Sequence, residues 1–341
     1  MTGHTGFTGS WAVLVLKELG AEVVGYALAP STEPSLFLSA AIEDHCKSYI
    51  GDINDISEFE KVVKNTKPDV ILHLAAQPLV LEGYSSPRST FETNVLGTAN
   101  VIDVALSNEN VVALVCVTTD KVYRNDNSGK SYNELDPLGG RDPYSASKVG
   151  TEMVVAGYRS VIESRENTKL KIGVARGGNI IGGGDWAENR IFPDMARSWF
   201  RGETLKVRMP SAVRPWQHVL SLVDGYVRVI DLLLNGENLP TDLNWNFGPN
   251  QYDSNISVQE IVSLASKRWP SLRFELFDEI FEESHILSID SAKAASELGW
   301  IPQWGLSESV DKTIDWYTSF RGDEQAALSF CMNQIHAYLG E

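Results

Sequence analysis

Short apolar runs alternate along this chain with longer stretches of helical period. The runs 22–28 (EVVGYAL), 68–74 (PDVILHL), 111–117 (VVALVCV) and 171–176 (KIGVAR) are nearly continuous in apolar residues, the pattern of strands buried on both faces. Between them, helical patterns cover 11–19, 55–64, 87–107 and a long stretch from Tyr144 to about Glu163. This strand–helix alternation predicts an α/β fold built on a doubly wound parallel sheet. Residues 220–234 read as a helix returning to that unit, and 245–248 (WNFG) as its last strand.

The pattern changes at Asn179. Glycines 182–184 break regular structure, and a helix then runs to about Arg201. Beyond residue 250 the chain is smaller and α-rich, with Trp300, Trp304 and Trp316 expected in its core. At 341 residues the chain exceeds one usual core. Two domains are expected: 1–178 with about 216–248, and about 179–215 with 249–341.

The charge narrows the partners. A formal net charge of −16 argues against nucleic acid and anionic membrane, which would call for a basic stripe. Cys46, Cys116 and Cys331 are too widely spaced for a zinc site or a disulfide framework, and suit a reducing cytoplasm. No metal site is expected. No apolar run is long enough to span a bilayer.

Candidate chemistry gathers between Thr118 and Lys148 (TTDKVYRNDNSGKSYNELDPLGGRDPYSASK). Thr119, Asp120 and Lys121 sit where a buried strand runs out, the place where open α/β sheets hold ligands. Tyr144 and Lys148 are four apart and share one helix face. A phenol of pKa about 10 is a poor base at neutral pH, and a nearby ammonium favours the phenolate. With Thr119 to hold an alcohol, Tyr144 becomes a general base for removing its proton as hydride leaves the carbon. The Tyr-x-x-x-Lys spacing alone turns up by chance in roughly every second chain, so its weight comes from its company. Residues 2–9 read TGHTGFTG, and Gly3, Gly6 and Gly9 before a helix let the backbone approach a pyrophosphate. The second strand ends in Tyr26-Ala27-Leu28 rather than an acidic residue, so NAD and NADP are not separated by that test. Asp52 is placed at the adenine side. Asn94, a poor helix former, falls mid-helix and suggests a hydrogen-bonding role. Arg190, Arg208, Arg214, Trp186 and Trp216 gather in one stretch of an acidic protein, which suits a phosphorylated, ring-containing ligand.

Taken together, these motifs resemble the extended short-chain dehydrogenases/reductases, a Rossmann-type fold with a smaller α-rich C-terminal substrate domain. Within them the chain is similar to the CDP-glucose 4,6-dehydratases, through HLAAQPLV, TNVLGT, GNIIGGGDWA, RPWQHVL, WNFGP and LGWIPQWGL. The resemblance implies NAD, held by Gly3, Thr5, Gly6, Phe7, Gly9, Asp52, Ile53, Leu74, Ala75, Ala76, Asn94, Tyr144 and Lys148. It implies a catalytic set of Thr119, Asp120, Lys121, Tyr144 and Lys148, with Asp120 as acid and Lys121 as base in an elimination. It implies a CDP-glucose or related nucleotide-sugar site formed by Gln77, Asn179, Asp185, Trp186, Arg190, Arg208, Arg214 and His218. A homodimer or tetramer assembled through the Asn94 and Tyr144 helices is also implied. The chain departs from the family at Thr8, where lysine is usual, and at Leu81, where arginine is usual; Glu82 adds a negative charge. Two other readings stay open: a nucleotide-sugar 4-epimerase or a dehydratase of another nucleotide, and a cofactor-binding protein without turnover.

In this fold the strand preceding Gly3 lies mid-sheet, yet only Met1 and Thr2 precede it. About five apolar side chains would be missing there, on the order of 10 kcal/mol of burial, against ~5–15 kcal/mol for a whole domain. The expectation is an N-terminally incomplete version of a longer chain, one that holds its cofactor weakly and unfolds early.

Overall fold

The structure, a computed structural model, describes residues 1–165, 168–250, 253, 255–277 and 284–340. Among the described residues six parallel strands form the central sheet: β1 (Val24–Ala27), β2 (Lys47–Ile50), β3 (Val70–His73), β4 (Ala113–Thr119), β5 (Lys171–Gly177) and β6 (Asn244–Phe247). β2 pairs with β1, and β3, β4, β5 and β6 follow one another in space. Thr2 bridges the two groups, pairing in parallel with Tyr26 of β1 and His73 of β3. Its N–H donates to Leu72 O at 2.9 Å, Gly3 N–H donates to Tyr26 O at 3.0 Å, and Tyr26 N–H donates to Met1 O at 2.9 Å. The mid-sheet slot expected to be largely empty thus carries ladder hydrogen bonds to both neighbours at its C-terminal end.

Alternation along the buried strands supplies both faces. Ala113 and Val115 point to one core, Leu114 and Cys116 to the other. On the first face lie α1 (Phe7–Glu18) and the later helix α6 (Val219–Asn235). On the second lie α2 (Ile56–Thr66), α3 (Pro87–Phe91), α4 (Gly97–Leu106) and α5 (Pro143–Glu163). The periodicity over 87–107 predicts one regular helix. The structure instead inserts a π turn, Glu92–Leu96, between α3 and α4. π turns collect at functional sites, and this one contains Asn94.

The rest of the chain covers the C-terminal ends of the strands. Asn179–Ile181 pairs with Trp216–His218, and Thr204–Arg208 with Arg273–Phe277. Helices Ile191–Arg201, Leu306–Gly322 and Ala327–Leu339 pack around an aromatic core. Trp199 stacks on Trp269 at 4.7 Å and Trp316 on Phe320 at 4.9 Å. Trp300, Trp304 and Trp316 are core residues. A strand pair, Ser131–Tyr132 with Ser288–Ile289, ties this part back to the loop after β4. No helix among the described residues is long and apolar enough to cross a membrane.

Candidate active site

A cleft of about 1080 Å³ opens over the C-terminal ends of β1, β3, β4 and β5. Its first end is a backbone cradle. Gly3 has φ +77°, and a Cβ there would lie 2.7 Å from Ala75 N. A Cβ on Gly9 would lie 2.0 Å from Gly3 O, so the turn closes only with glycine. Gly6 caps α1 without a side-chain bond, which leaves the first N–H groups of that helix for an anion. Thr5, Phe7, Asp52, Ile53, Leu74, Ala75 and Ala76 complete the wall. The cradle fits a dinucleotide: bare backbone where a pyrophosphate approaches, and small side chains where a flat ring lies.

The middle of the cleft holds the titratable groups. Thr119 donates from Oγ1 to Asp120 Oδ1 at 2.8 Å. Burial pushes the Asp120 carboxyl up to about 6, against the pull of Lys121, the Thr119 bond and Arg214. Asp120 Oδ2 has no partner among the described residues. Tyr144 enters from the first turn of α5, whose start is fixed by Pro143 and by a reciprocal cap between Asp142 and Ser145. Burial pushes the Tyr144 phenol up to about 12, opposed by a Thr119 hydrogen bond and by Arg190. Burial pushes Lys148 down to about 8, and its Nζ donates to Val117 O at 3.1 Å. In the cleft as it stands burial disfavours the charged forms of both Tyr144 and Lys148, and Arg190 is a cation that favours the Tyr144 phenolate.

The far end is polar and cationic. Asn179, Asp185, Arg190, Arg208 and Arg214 line it. Asp185 pairs with Arg190 at 3.0 Å and accepts from Ala187 N, which fixes the loop after glycines 182–184. Arg208 donates to Asn189 Oδ1 at 3.0 Å. Gln77 lines the cleft, held by its side-chain bond to Thr90 and by Asn94, which accepts from Gln77 N at 2.8 Å.

Three expected contact residues lie outside the lining. Asn94 is buried behind the wall, donating to Gln77 O and Ser147 Oγ, so it shapes the cleft through its neighbours. Trp186 points away into Phe200, Tyr317 and Phe320. His218 is fully buried between Trp11 and Trp304; it caps α6 by accepting from Leu220 N, and burial pushes it down to about 3. A motif marks a segment, but the pleat and the helix turn decide which of its side chains reach the cleft. Conversely, the sequence reading passed over Glu188, Asn189, Lys206 and Tyr226, which do line it. It also passed over the buried pair Glu152 and Arg176, although an arginine inside an apolar strand was a signal for it.

Comparison with known proteins agrees with this geometry. The GDP-mannose 4,6 dehydratase family matches residues 1–313. CDP-glucose 4,6-dehydratase from Salmonella typhimurium is 39% identical over 335 residues, covering 96% of this chain and 93% of that protein. Among solved structures, dTDP-glucose 4,6-dehydratase from Streptomyces venezuelae, with NAD and TYD bound, superposes with a TM-score of 0.79 at 24% identity, covering 94% of this chain and 97% of that one. UDP-glucose-4-epimerase from Stenotrophomonas maltophila superposes with a TM-score of 0.81 at 20% identity, covering 94% of this chain and 97% of that one. These two likenesses speak to the fold. The match over most of the chain and the near full-length relative together place this chain in the GDP-mannose 4,6 dehydratase family, within the extended short-chain dehydrogenases/reductases.

Proposed function

We propose that this chain is an NAD-dependent nucleotide-sugar 4,6-dehydratase whose substrate is CDP-glucose. The observation that carries this reading is the meeting of two sets of groups in one cleft: Tyr144 with Lys148 and Thr119, and Asp120 with Lys121. A 4-epimerase needs the first set only. The glycine cradle and the strand tips would hold NAD, which would supply the acceptor for hydride from the sugar C4 and the donor that returns it to C6.

In this reading Tyr144 removes the 4-hydroxyl proton while Thr119 orients that hydroxyl. The resulting ketone acidifies the C5 hydrogen, which Lys121 takes. Asp120, kept protonated to higher pH than an ordinary carboxyl by its burial, gives its proton to the leaving 6-hydroxyl. Lys148 holds the cofactor ribose. Arg190, Arg208 and Arg214, with Asn179, receive the nucleotide diphosphate, and Asp185 holds Arg190 in place. Cytidine as the base is supported by the full-length relative, which bears CDP-glucose in its name.

A second copy of the chain is the proposed protein partner. Phe91 and Leu96 beside Met153 and Val161 leave an apolar face on the packed helices α3 to α5. Sedimentation of wild type and of Leu96→Glu tests it; an unchanged monomer in both would refute it.

The activity is tested by incubation with NAD and CDP-glucose, followed by mass spectrometry for loss of one water. An isomer of unchanged mass indicates the epimerase, and unchanged substrate indicates a binding protein. CDP-glucose should outcompete UDP- and dTDP-glucose; equal turnover of all three refutes the choice of nucleotide.

A further inference from the structure

The stripe of α5 that carries Tyr144 and Lys148 continues one turn further, to Glu152. This carboxylate is buried, and so is the guanidinium that meets it, Arg176 of β5. Arg176 Nε donates to Glu152 Oε1 at 2.9 Å, and Nη2 donates to Oε2 at 2.5 Å. Two hydroxyls close the cluster. Thr118 Oγ1 donates to Glu152 Oε1 at 2.8 Å. Arg176 Nη1 donates to Tyr123 OH at 2.8 Å, and Tyr123 OH donates to Asn246 Oδ1 at 2.6 Å.

The places of Thr118 and Tyr123 in the chain give this cluster its meaning. Between them lie Thr119 at the strand end and the short turn Asp120–Val122. The segment that carries the elimination groups is therefore fastened just before and just after itself. Both fastenings end on one ion pair, and that pair grows from the helix that carries the redox groups. Neither Glu152 nor Arg176 lines the cleft. A buried ion pair is a poor source of stability compared with apolar packing. A two-toothed guanidinium–carboxylate contact does fix both distance and plane, which a pair of apolar side chains would not.

We propose that Glu152, Arg176 and Tyr123 are positioning residues that set the Asp120 and Lys121 turn against Tyr144, so that oxidation at C4 and elimination across C5 and C6 occur on one substrate pose. The inference rests on the dehydratase reading above. It predicts a split between two steps. Loosening the joint at its Tyr123 end displaces the elimination groups but leaves Tyr144 and Lys148 on their helix. A displacement on the order of 1 Å costs about 10²-fold in rate.

The variant that tests this is Tyr123→Phe in the full chain, supplied with NAD and CDP-glucose. It removes one hydroxyl and keeps the ring stacked on Tyr132. Rapid mixing follows the absorbance of the reduced cofactor for the hydride step; solvent deuterium entering at C5 and loss of water follow the elimination. Elimination should slow by about 10–100-fold, with the hydride step within about 3-fold of wild type. Arg176→Lys, which keeps the charge and loses the fork, should show the same split. Equal slowing of both steps would mark the cluster as structural only, and no slowing of either would remove it from the mechanism; both outcomes overturn the proposal. Wild type that never releases water from any nucleotide hexose would instead overturn the dehydratase reading and the joint with it.

Discussion

Asp120→Asn should stabilise the folded chain at neutral pH, by an amount that vanishes in acid. Asp120 is 2% exposed, and burial raises its carboxyl from 3.8 to about 6. Since the folded value is the higher one, the folded state favours the protonated form. Below pH 3.8 both states carry the proton and the carboxyl costs nothing. The cost appears as pH rises through 4 to 6 and is constant above that. A shift of about two units corresponds to about 3 kcal/mol at pH 7, reduced to roughly 0.5 kcal/mol at pH 4. Asparagine cannot ionise. It does put an amide N–H where Oδ2 now lacks a partner, but that penalty is the same at both pH values and drops out of their difference. Urea unfolding of both proteins at pH 4 and pH 7 therefore isolates the charge. The stability difference between variant and wild type should grow by about 2–3 kcal/mol from pH 4 to pH 7, which for 341 residues is a shift of about 3–4 °C in Tm. Parallel curves at the two pH values would refute the buried, proton-holding carboxyl, and with it the acid assigned to the 6-hydroxyl. The variant should be more stable and unable to eliminate water, the usual trade between stability and a strained site.

Tyr144→Phe should slow the first hydride transfer by ~10²–10⁴-fold, whereas Lys121→Met should let substrate reduce the bound cofactor without releasing water; normal dehydration by the latter would remove Lys121 from its role. Gly9→Ala places a methyl 2.0 Å from Gly3 O, so NAD affinity, read by fluorescence titration, should fall at least ~10-fold (about 1.4 kcal/mol), and an unchanged affinity would refute the cradle. Lys148 is pushed down to about 8 by burial. Its cation is present below that pH and is lost above it, so kcat should decline as pH rises past 8; a flat profile to pH 9.5 would show that the ammonium is not needed.

The main sheet was legible because each strand announces itself as an apolar run and each helix by its period. The cleft was legible where chemistry is written into neighbouring positions, as in Thr119 to Lys121 or Tyr144 with Lys148. What stayed hidden depends on orientation and on distant partners. Trp186 and His218 sit in segments that do border the cleft, yet their side chains turn into the aromatic core. Asn94 was recognisable as an odd mid-helix residue, but its grip on Gln77 and Ser147 needed the fold. The joint of Glu152 with Arg176 spans 24 residues and two elements, beyond any local pattern. The burial that pushes the Tyr144 phenol up is a property of its surroundings, which spacing does not encode.

The π turn Glu92–Leu96 also bears on how this protein tolerates changes in length. A π turn holds one residue more than an α turn. Deleting a single residue there would let the whole stretch wind as an ordinary helix, and by local criteria the result would look better formed. Such a deletion would leave everything downstream nearly in phase with everything upstream, because the wide turn takes up its extra residue by turning less per residue. At present Asn94 O accepts from the hydroxyls of Thr98 and Thr151, and Thr98 also meets His73 beneath the strand tips. After the deletion the carbonyls of this turn would be taken up by N–H groups four residues on, in competition with the hydroxyl of Thr151 from α5. The irregularity is thus a fastening point for a neighbouring helix, and losing one residue there would cost bonding to that helix rather than phase.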